Sequence, residues 1–432
     1  MEEGAFLFFF EGRFILAKGK ENKYSNAYYN NMNKLIVKVD KREVEIDRQS
    51  FVELIDFPPV RELKAYKDAL DENRISFNDL RGLALKSDIP YPLFFAPRKV
   101  VVAQIDRKNR LIQEKIPTKE ELSLVSRGSL KVEDVELIVR DLSRRQEFLK
   151  RRVLPNTVIN SYVGSIAKDA KRGVSIDALA SKIRNSLNID LNYMRTLPKT
   201  KVLEYLCRQS EKENVLIAFS SHNYMPQTLD KELDFSGLCV RDKKFPTIFI
   251  NRRDGDDDPK ILETEGRQIF TLTSMLVCVA MNKFVLNMKD QKEQKGDYLQ
   301  AFSIAAEVLI PAKDLEGMNI SSLEELKDYA KDFKVTPSMF LVRLLELGLI
   351  SKPDFGILFG ILKKEIEDKK VNRRNHPLPV NGYGKYNGEK FSKESIRAHA
   401  SGLIATNELR NALFRRGKVD SKLFNEYYIK FK

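Results

Sequence analysis

The period of the hydrophobic pattern changes along the chain. Over residues 5–46, "AFLFFF", "RFILA" and "KLIVKVDKREVEI" are rich in Val, Ile and Phe, and the last alternates apolar with charged positions, which predicts β-strands. The Asn-rich "GKENKYSNAYYNNMN" between them suits a long loop. From about Phe57 to Arg152 the spacing turns helical, in "VRELKAYKDAL", "SFNDLRGLALKSDI" and "VEDVELIVRDLSRRQEFLKRR". Pro90, Pro92 and Pro97 interrupt this half, so "YPLFFAP" is expected as a rigid extended connection. A second helical set, with "SIDALASKIRNSLNI" and "KTKVLEYLCRQSEKE", leads to two short buried strands, "NVLIAFS" and "PTIFINR", with "LDFSGLCVRDKK" between them.

Beyond the acidic "DGDDD", Asp258 as N-cap and Pro259 at the first helical position predict a helix that runs to about Asn287. It contains "QIFTLTSMLVCVAMNKF", residues 268–284, apolar on nearly every face, which indicates burial. After "KDQKEQKGD" comes "YLQAFSIAAEVLIP", ended by Pro311, then helices at 322–332 and 336–349 and a basic C-terminal segment. The expected fold class is α+β and mostly helical. Its segments are a β-rich module at 1–50, a helical region at 51–155, a core at 156–350 and a basic helical segment at 351–432.

With 432 residues, 42% of them hydrophobic, the chain can bury the cores of two or three domains. The longest uncharged apolar stretch, Gln268 to Asn282, falls short of the roughly 18–20 residues that cross a bilayer, so no membrane span is expected. "AFLFFF" follows two acidic residues rather than a basic segment and reads as a strand, not a signal peptide. Cys207, Cys239 and Cys278 are odd in number and far apart, which suggests no disulfide framework and fits a reducing cytoplasm. Lys plus Arg number 75 against 61 Asp plus Glu, and the resulting +14 is compatible with a nucleic-acid or acidic partner.

An ordered series of blocks carries a resemblance. "LRGLALKSDIPYPLFFAP", "VLEYLCRQSEKENVLIAF", "LDFSGLCVRDKKFPTIFIN", "RQIFTLTSMLVCVA", "AFSIAAEVLIP", "FKVTPSMFLVRLLELGLIS" and "IRAHASGLIATNELRNAL" follow one another in that order. From roughly 160 to 430, and more weakly back to about 78, the chain thereby resembles the ImmA/IrrE-type metallopeptidases, in particular long members with an N-terminal helix-turn-helix. The resemblance implies a zincin-like core at 156–350 and a diverged helix-turn-helix plus linker within 51–155. The turn signature in 51–95 is blurred.

That family's catalytic helix reads F-T-L-A-H-E-x-x-H. Two histidines four residues apart grip one zinc from one helix face, the adjacent Glu polarises its water, and a carboxylate on the next helix is the usual third ligand. Aligning "FTLT" at 270–273 with F-T-L-A puts Ser274 and Cys278 at the histidine positions and Met275 at the glutamate position. The third ligand's place falls near Tyr298, and a slip of one residue would bring in Asp297. Ser is a poor zinc ligand, Met cannot act as a base, and one Cys supplies one ligand where three are needed. The site is therefore expected to be degenerate, with no metal and no cofactor.

The resemblance then implies a pseudopeptidase that acts by binding a protein partner, as a regulator in a phage, mobile-element, toxin–antitoxin or phage-defence setting. The binding surface expected is an edge strand carrying Thr247, Phe249 and Asn251, against which a partner's extended segment would pair. The alternative is a nucleic-acid-binding effector that uses Arg144, Arg145, Arg151, Arg152, Arg373 and Arg374, with Tyr383 and Tyr386 near the last pair. An active metallopeptidase with unusual ligands is the third reading. His222, His376 and His399 have no ligand spacing.

Overall fold

The computed structural model describes residues 6–10, 13–17, 33–56, 58–116, 132–229, 235–252, 264–284, 297–318, 320, 322–368, 377–414 and 419–432. The chain is mostly helical and divides into two compact units, residues 1–108 and 109–432. Among the described residues no helix is long and apolar enough to cross a membrane.

In the first unit, β1 (Phe6–Phe10) pairs antiparallel with β2 (Arg13–Ala17). A second sheet has the order β4-β3-β5: β3 (Lys34–Val39) runs antiparallel to β4 (Arg42–Asp47) and parallel to β5 (Arg74–Ser76). The alternation in β3 is the expected one, with Leu35 and Val37 buried. Four helices follow or intervene: α1 (Arg48–Ile55), α2 (Pro58–Arg61), α3 (Lys64–Glu72) and α4 (Phe77–Ser87). Helix α1 starts where the Asp47 carboxylate accepts the Ser50 N–H at 2.6 Å, and α4 where the Ser76 hydroxyl accepts the Asp79 N–H at 3.0 Å. Between α3 and α4 the connection is β5 itself, hydrogen-bonded to β3, so the turn expected of a helix-turn-helix is here a strand. "YPLFFAP" is not extended. Tyr91–Phe95 forms a 3-10 turn that buries Phe94, because a proline at the start of a helical turn loses no hydrogen bond.

The division between the units falls within α5 (Arg98–Lys115). In the second unit, α6 (Glu136–Phe148) continues as a π turn at Leu149–Val153, followed by α7 (Ala167–Lys171), α8 (Ile176–Ser186), α9 (Leu191–Thr196) and α10 (Lys199–Lys212). Three short strands come next, β6 (Leu216–Phe219), β7 (Gly237–Val240) and β8 (Thr247–Ile250). The remaining helices are α11 (Glu265–Ala280), α12 (Asp297–Leu309), α13 (Leu323–Asp332), α14 (Pro337–Glu346), α15 (Lys352–Asp368), α16 (Pro379–Asn387), α17 (Glu389–Ala400), α18 (Thr406–Phe414) and α19 (Ser421–Phe431).

Both faces of the sheet are covered. On one face Ile217, Cys239, Ile248 and Ile250 join a core built from α8, α10, α11, α12 and α14. On the other, Ala218, Leu238, Val240 and Phe249 pack with Ile138, Val139 and Leu142 of α6 and Tyr386 of α16. A third cluster ties α16 to α19 to the π turn through Leu149, Phe391, Tyr427 and Phe431. Helix α11 lies in the largest core, with every residue from Thr271 to Ala280 buried, as its uniform apolarity predicted. Its bounds differ from the expectation. The start is at Thr264, whose hydroxyl accepts the Arg267 N–H at 3.4 Å, while Asp258 and Pro259 lie outside the described residues. The end is at Ala280, because Asn282 turns left-handed at φ 55°.

Two of the buried carboxylates, Glu307 and Glu211, join helices of this unit. Glu307 of α12 pairs with the fully enclosed Arg343 of α14, which also donates to Glu346 at 2.8 Å, and both Glu307 oxygens accept the Ala312 N–H at 3.2 Å. Glu211, at the end of α10, accepts the Lys390 N–H at 3.0 Å at the start of α17 and also bonds the backbone of Ile217 in β6. Burial raises the Glu211 carboxyl from its ordinary 4.5 to about 8 against the pull of those amides.

Removing Glu307 takes from the buried Arg343 its one enclosed carboxylate and leaves it only the part-exposed Glu346. Glu307→Ala is expected to lower unfolding free energy by about 3–5 kcal/mol, and replacing both residues by leucine to recover most of it, as read by denaturant titration. For Glu211 the folded value is the higher one. Its contribution is complete below about 4.5 and is lost as pH rises through about 8. The denaturation midpoint should fall between pH 6 and 9 in the native sequence, and Glu211→Gln should flatten that slope.

Candidate functional site

The residues aligned with a metal-binding helix are interior packing. Ser274, Met275 and Cys278 are exposed by 1%, 0% and 0%. The Ser274 hydroxyl donates back to the Phe270 carbonyl one turn earlier at 2.8 Å, which occupies its donor within the helix. Met275 lies against Gly237 of β7. A Cβ at that glycine would stand 2.9 Å from Met275 Cε and 2.3 Å from the Phe249 carbonyl oxygen, so glycine is what allows helix and strand to approach this closely. The Tyr162 hydroxyl donates to the Leu276 carbonyl at 3.0 Å and fastens the same turn of α11. Burial pushes the Cys278 thiol up to about 12, against the opposing charge of Lys283. The three cysteines are free thiols. The backbone of Asp297 and Tyr298 opens α12, and their side chains lie outside the described residues. Among the described residues no three His, Cys, Asp or Glu side chains gather as a metal site would require.

Neither described histidine supplies one. His399 on α17 contacts the Tyr428 hydroxyl at 3.3 Å and Thr406 Oγ1 at 3.0 Å, His222 stands in the loop after β6, and His376 is outside the described residues.

The strand expected at an edge is central. The order is β6-β8-β7, with β8 parallel to β6 and antiparallel to β7, so both sides of its backbone are already paired. Thr247, Phe249 and Asn251 are buried at 3%, 0% and 4% and cannot receive a partner's strand. Each has an internal role. Thr247 Oγ1 accepts from Gln146 at 3.0 Å and donates to the Phe245 carbonyl at 3.2 Å. Phe249 stacks on Phe235 with centroids 6.4 Å apart. Asn251 donates to the Phe235 carbonyl at 3.1 Å.

Beside Thr247 lies a charged knot. Lys115 donates to Gln146 at 2.7 Å and to Asp242 at 3.1 Å, and Lys150 donates to the same Asp242 oxygen at 2.6 Å. Burial works to raise the Asp242 carboxyl, but the Lys150 bond, the Phe245 and Lys244 amides and the Lys115 charge bring it down to about 2. Burial lowers the Lys115 ammonium against the attraction of Asp242.

The arginines proposed for phosphate contact divide. Arg145 is interior. It pairs with Asp141 at 2.9 Å, donates to the Tyr386 carbonyl at 2.9 Å and lies over the Tyr386 ring at 4.1 Å. Such an engaged guanidinium cannot turn outward to a phosphate without giving up its bonds to Asp141 and the Tyr386 carbonyl. Arg144 pairs with Asp141 at 3.0 Å, Arg151 with Glu147 at 3.1 Å and Arg152 with Glu408 at 2.7 Å, the last two on exposed ground. Arg373 and Arg374 lie outside the described residues, and Tyr383 and Tyr386 are buried.

A concave site that the sequence did not single out opens where these groups meet. A cleft of about 70 Å³ is bounded by Asp141, Arg145, Tyr224, Tyr383, Leu413 and Phe414, among others. Tyr224 meets Tyr383 edge-on at 4.9 Å, and Tyr383 meets Phe414 edge-on at 4.9 Å. The Tyr224 ring lies directly on Gly382, where a Cβ would come within 2.2 Å of it. The Tyr386 hydroxyl donates to Asp141 at 3.0 Å. The signal available in the sequence was the close spacing of glycine and tyrosine in "NGYGKYNG", which permits rings to pack on helix backbone.

No protein-family model matches the chain, and neither a curated protein nor a solved structure matches it.

If Cys278 is interior packing, its thiol should stay unmodified by a disulfide reagent at pH 8 in the folded protein and react fully once the chain is unfolded. Rapid modification of the folded protein at Cys278, located by peptide mass, would contradict the packing described.

Proposed function

We propose that this protein is a catalytically inactive relative of the ImmA/IrrE-type peptidases that works by binding a protein partner, as a regulator in a phage, mobile-element, toxin–antitoxin or phage-defence system. The observation that carries this reading is the burial of Ser274, Met275 and Cys278 at 1% exposure or less in the helix aligned with the family's catalytic one. A metal-activated water needs an open coordination position beside a base. Here those positions hold a hydroxyl bonded to its own helix, a thioether against Gly237 and a thiol whose ionisation burial opposes. The ordered sequence blocks supply the family half of the reading.

Apolar filling of a former reaction centre stabilises the scaffold, since a trio of polar ligands without metal would cost desolvation free energy inside this core. Selection for binding would retain such a scaffold. The net charge of +14 gives an acidic partner the electrostatic advantage in encounter.

Two measurements on the full chain decide the matter. Elemental analysis after purification without chelator should find well under one zinc per chain, and incubation with products of the neighbouring genes should yield a complex with both chains intact. One tightly held zinc per chain together with chelator-sensitive cleavage would overturn the reading.

A further inference from the structure

Helix α15 is covered on one side only. Leu362 is buried, and Phe355 and Leu358 are half-buried against the α11 core. With about 100° between successive residues, the opposite face belongs to Gly356 and Gly360. Ile357 and Ile361 run along one flank of the glycines, and Phe359 and Ile366 along the other. These four side chains are 64, 42, 40 and 55% exposed, and Phe359 is held in place by its stack on Phe355, centroids 5.4 Å apart. Among the described residues, a Cβ at Gly356 or Gly360 would meet no atom within 4 Å outside the helix's own backbone. Glycine weakens a helix relative to alanine, and nothing in the chain's own packing requires it at these two places. A second backbone approaching closely would require it.

The exposed parts of Ile357, Phe359, Ile361 and Ile366 come to about 400 Å², the size at which an apolar patch on a monomer is often functional. Two such faces laid together would bury about 800 Å² from these side chains alone. With the glycine backbone and the lysine stems they reach the roughly 1,000 Å² of a specific but reversible interface. The charges decide what lies against this face. Asp354, which accepts from the Ser351 hydroxyl, is exposed at the start of the helix, and Lys363 and Lys364 are exposed near its end. Glu365 is turned away to Lys327 of α13 at 2.8 Å, and among the described residues neither Lys363 nor Lys364 has an ion-pair partner. Two copies running antiparallel about a twofold axis beside Phe359 set Ile357 against the other copy's Ile361 and bring Asp354 within reach of the other copy's Lys364. A parallel pairing would instead stack the lysines on each other. We propose that this face of α15 binds its counterpart on a second copy of the chain, antiparallel, as a reversible dimer. The face is complementary to itself, apolar to apolar and acid to base, which is what a twofold interface requires. The proposal goes beyond the partner-binding role argued above and does not depend on it.

Sedimentation velocity on the full chain tests this. Between about 1 and 100 µM the native sequence is expected to pass from monomer to dimer, as an interface near the lower size limit does. Ile361→Asp should weaken the dimer about tenfold or more, because it sets a carboxylate against apolar surface. Replacing Gly356 and Gly360 together by glutamine, a better helix former, should leave the thermal midpoint of the monomer unchanged or higher and yet weaken the dimer about tenfold or more. Glycines that served only the helix would not move these two readings apart. Asp354→Lys should weaken the dimer, and adding Lys364→Asp should restore it, which only the antiparallel register explains. A monomer throughout the range, a dimer unaffected by Ile361→Asp, or a charge swap without recovery would overturn the proposal. So would a chain that stays monomeric and is taken up by vesicles of phosphatidylglycerol and phosphatidylcholine, since the face would then serve a membrane surface.

Discussion

From Thr271 to its end helix α11 has no face that meets water, so the chain around it must enclose it completely. From Thr271 to Ala280 every residue is buried, in a core shared with α8, α10, α12, α14 and one face of the sheet. That requirement positions the other elements. Gly237 lets β7 approach Met275, Tyr162 fastens the Leu276 carbonyl, and Ser274 must turn its hydroxyl onto its own backbone. A charged group introduced between Thr271 and Ala280 would have no solvent to reach and no partner prepared for it.

The same enclosure explains what was legible in the sequence. Uniform apolarity over 268–284 signalled burial, and the alternation in residues 34–39 signalled a half-covered strand; both are observed. The edge-strand assignment of "TIFI" failed although its signal was present. Four apolar residues in succession, without alternation, are what a strand covered on both faces requires, and β8 is one. The cleft was harder to read. Asp141 and Arg145 lie on α6, and Tyr383 and Tyr386 lie on α16, more than 230 residues later. The short-range spacing of Arg144, Arg145, Arg151 and Arg152 suggested a basic surface, and nothing local indicates that Arg145 alone turns inward to Tyr386.

Polar groups inside the second unit serve as fasteners between elements remote in sequence. Asp242 gathers Lys115 of α5 and Lys150 of the π turn, Glu307 joins α12 to α14 through Arg343, and Asp141 binds the Tyr386 hydroxyl. Asp242 and Glu307 also accept backbone N–H groups, and Asp141 also pairs with Arg144 and Arg145, which is the condition under which a buried charge is tolerated. Only certain pairings of helices satisfy them, so they specify arrangement where apolar contact alone would permit several.

Glu211 has a bearing on how this protein keeps company with other copies of itself. Its carboxyl occupies the amide of Ile217 on the side of β6 that faces away from β8, and it simultaneously holds the first turn of α17 across that flank. A strand that might otherwise template its like is thereby stoppered, and the four-residue lengths of β6 to β8 leave little ladder for a stray chain to extend. One acidic side chain therefore occupies the outer edge of β6 while it clasps the start of α17.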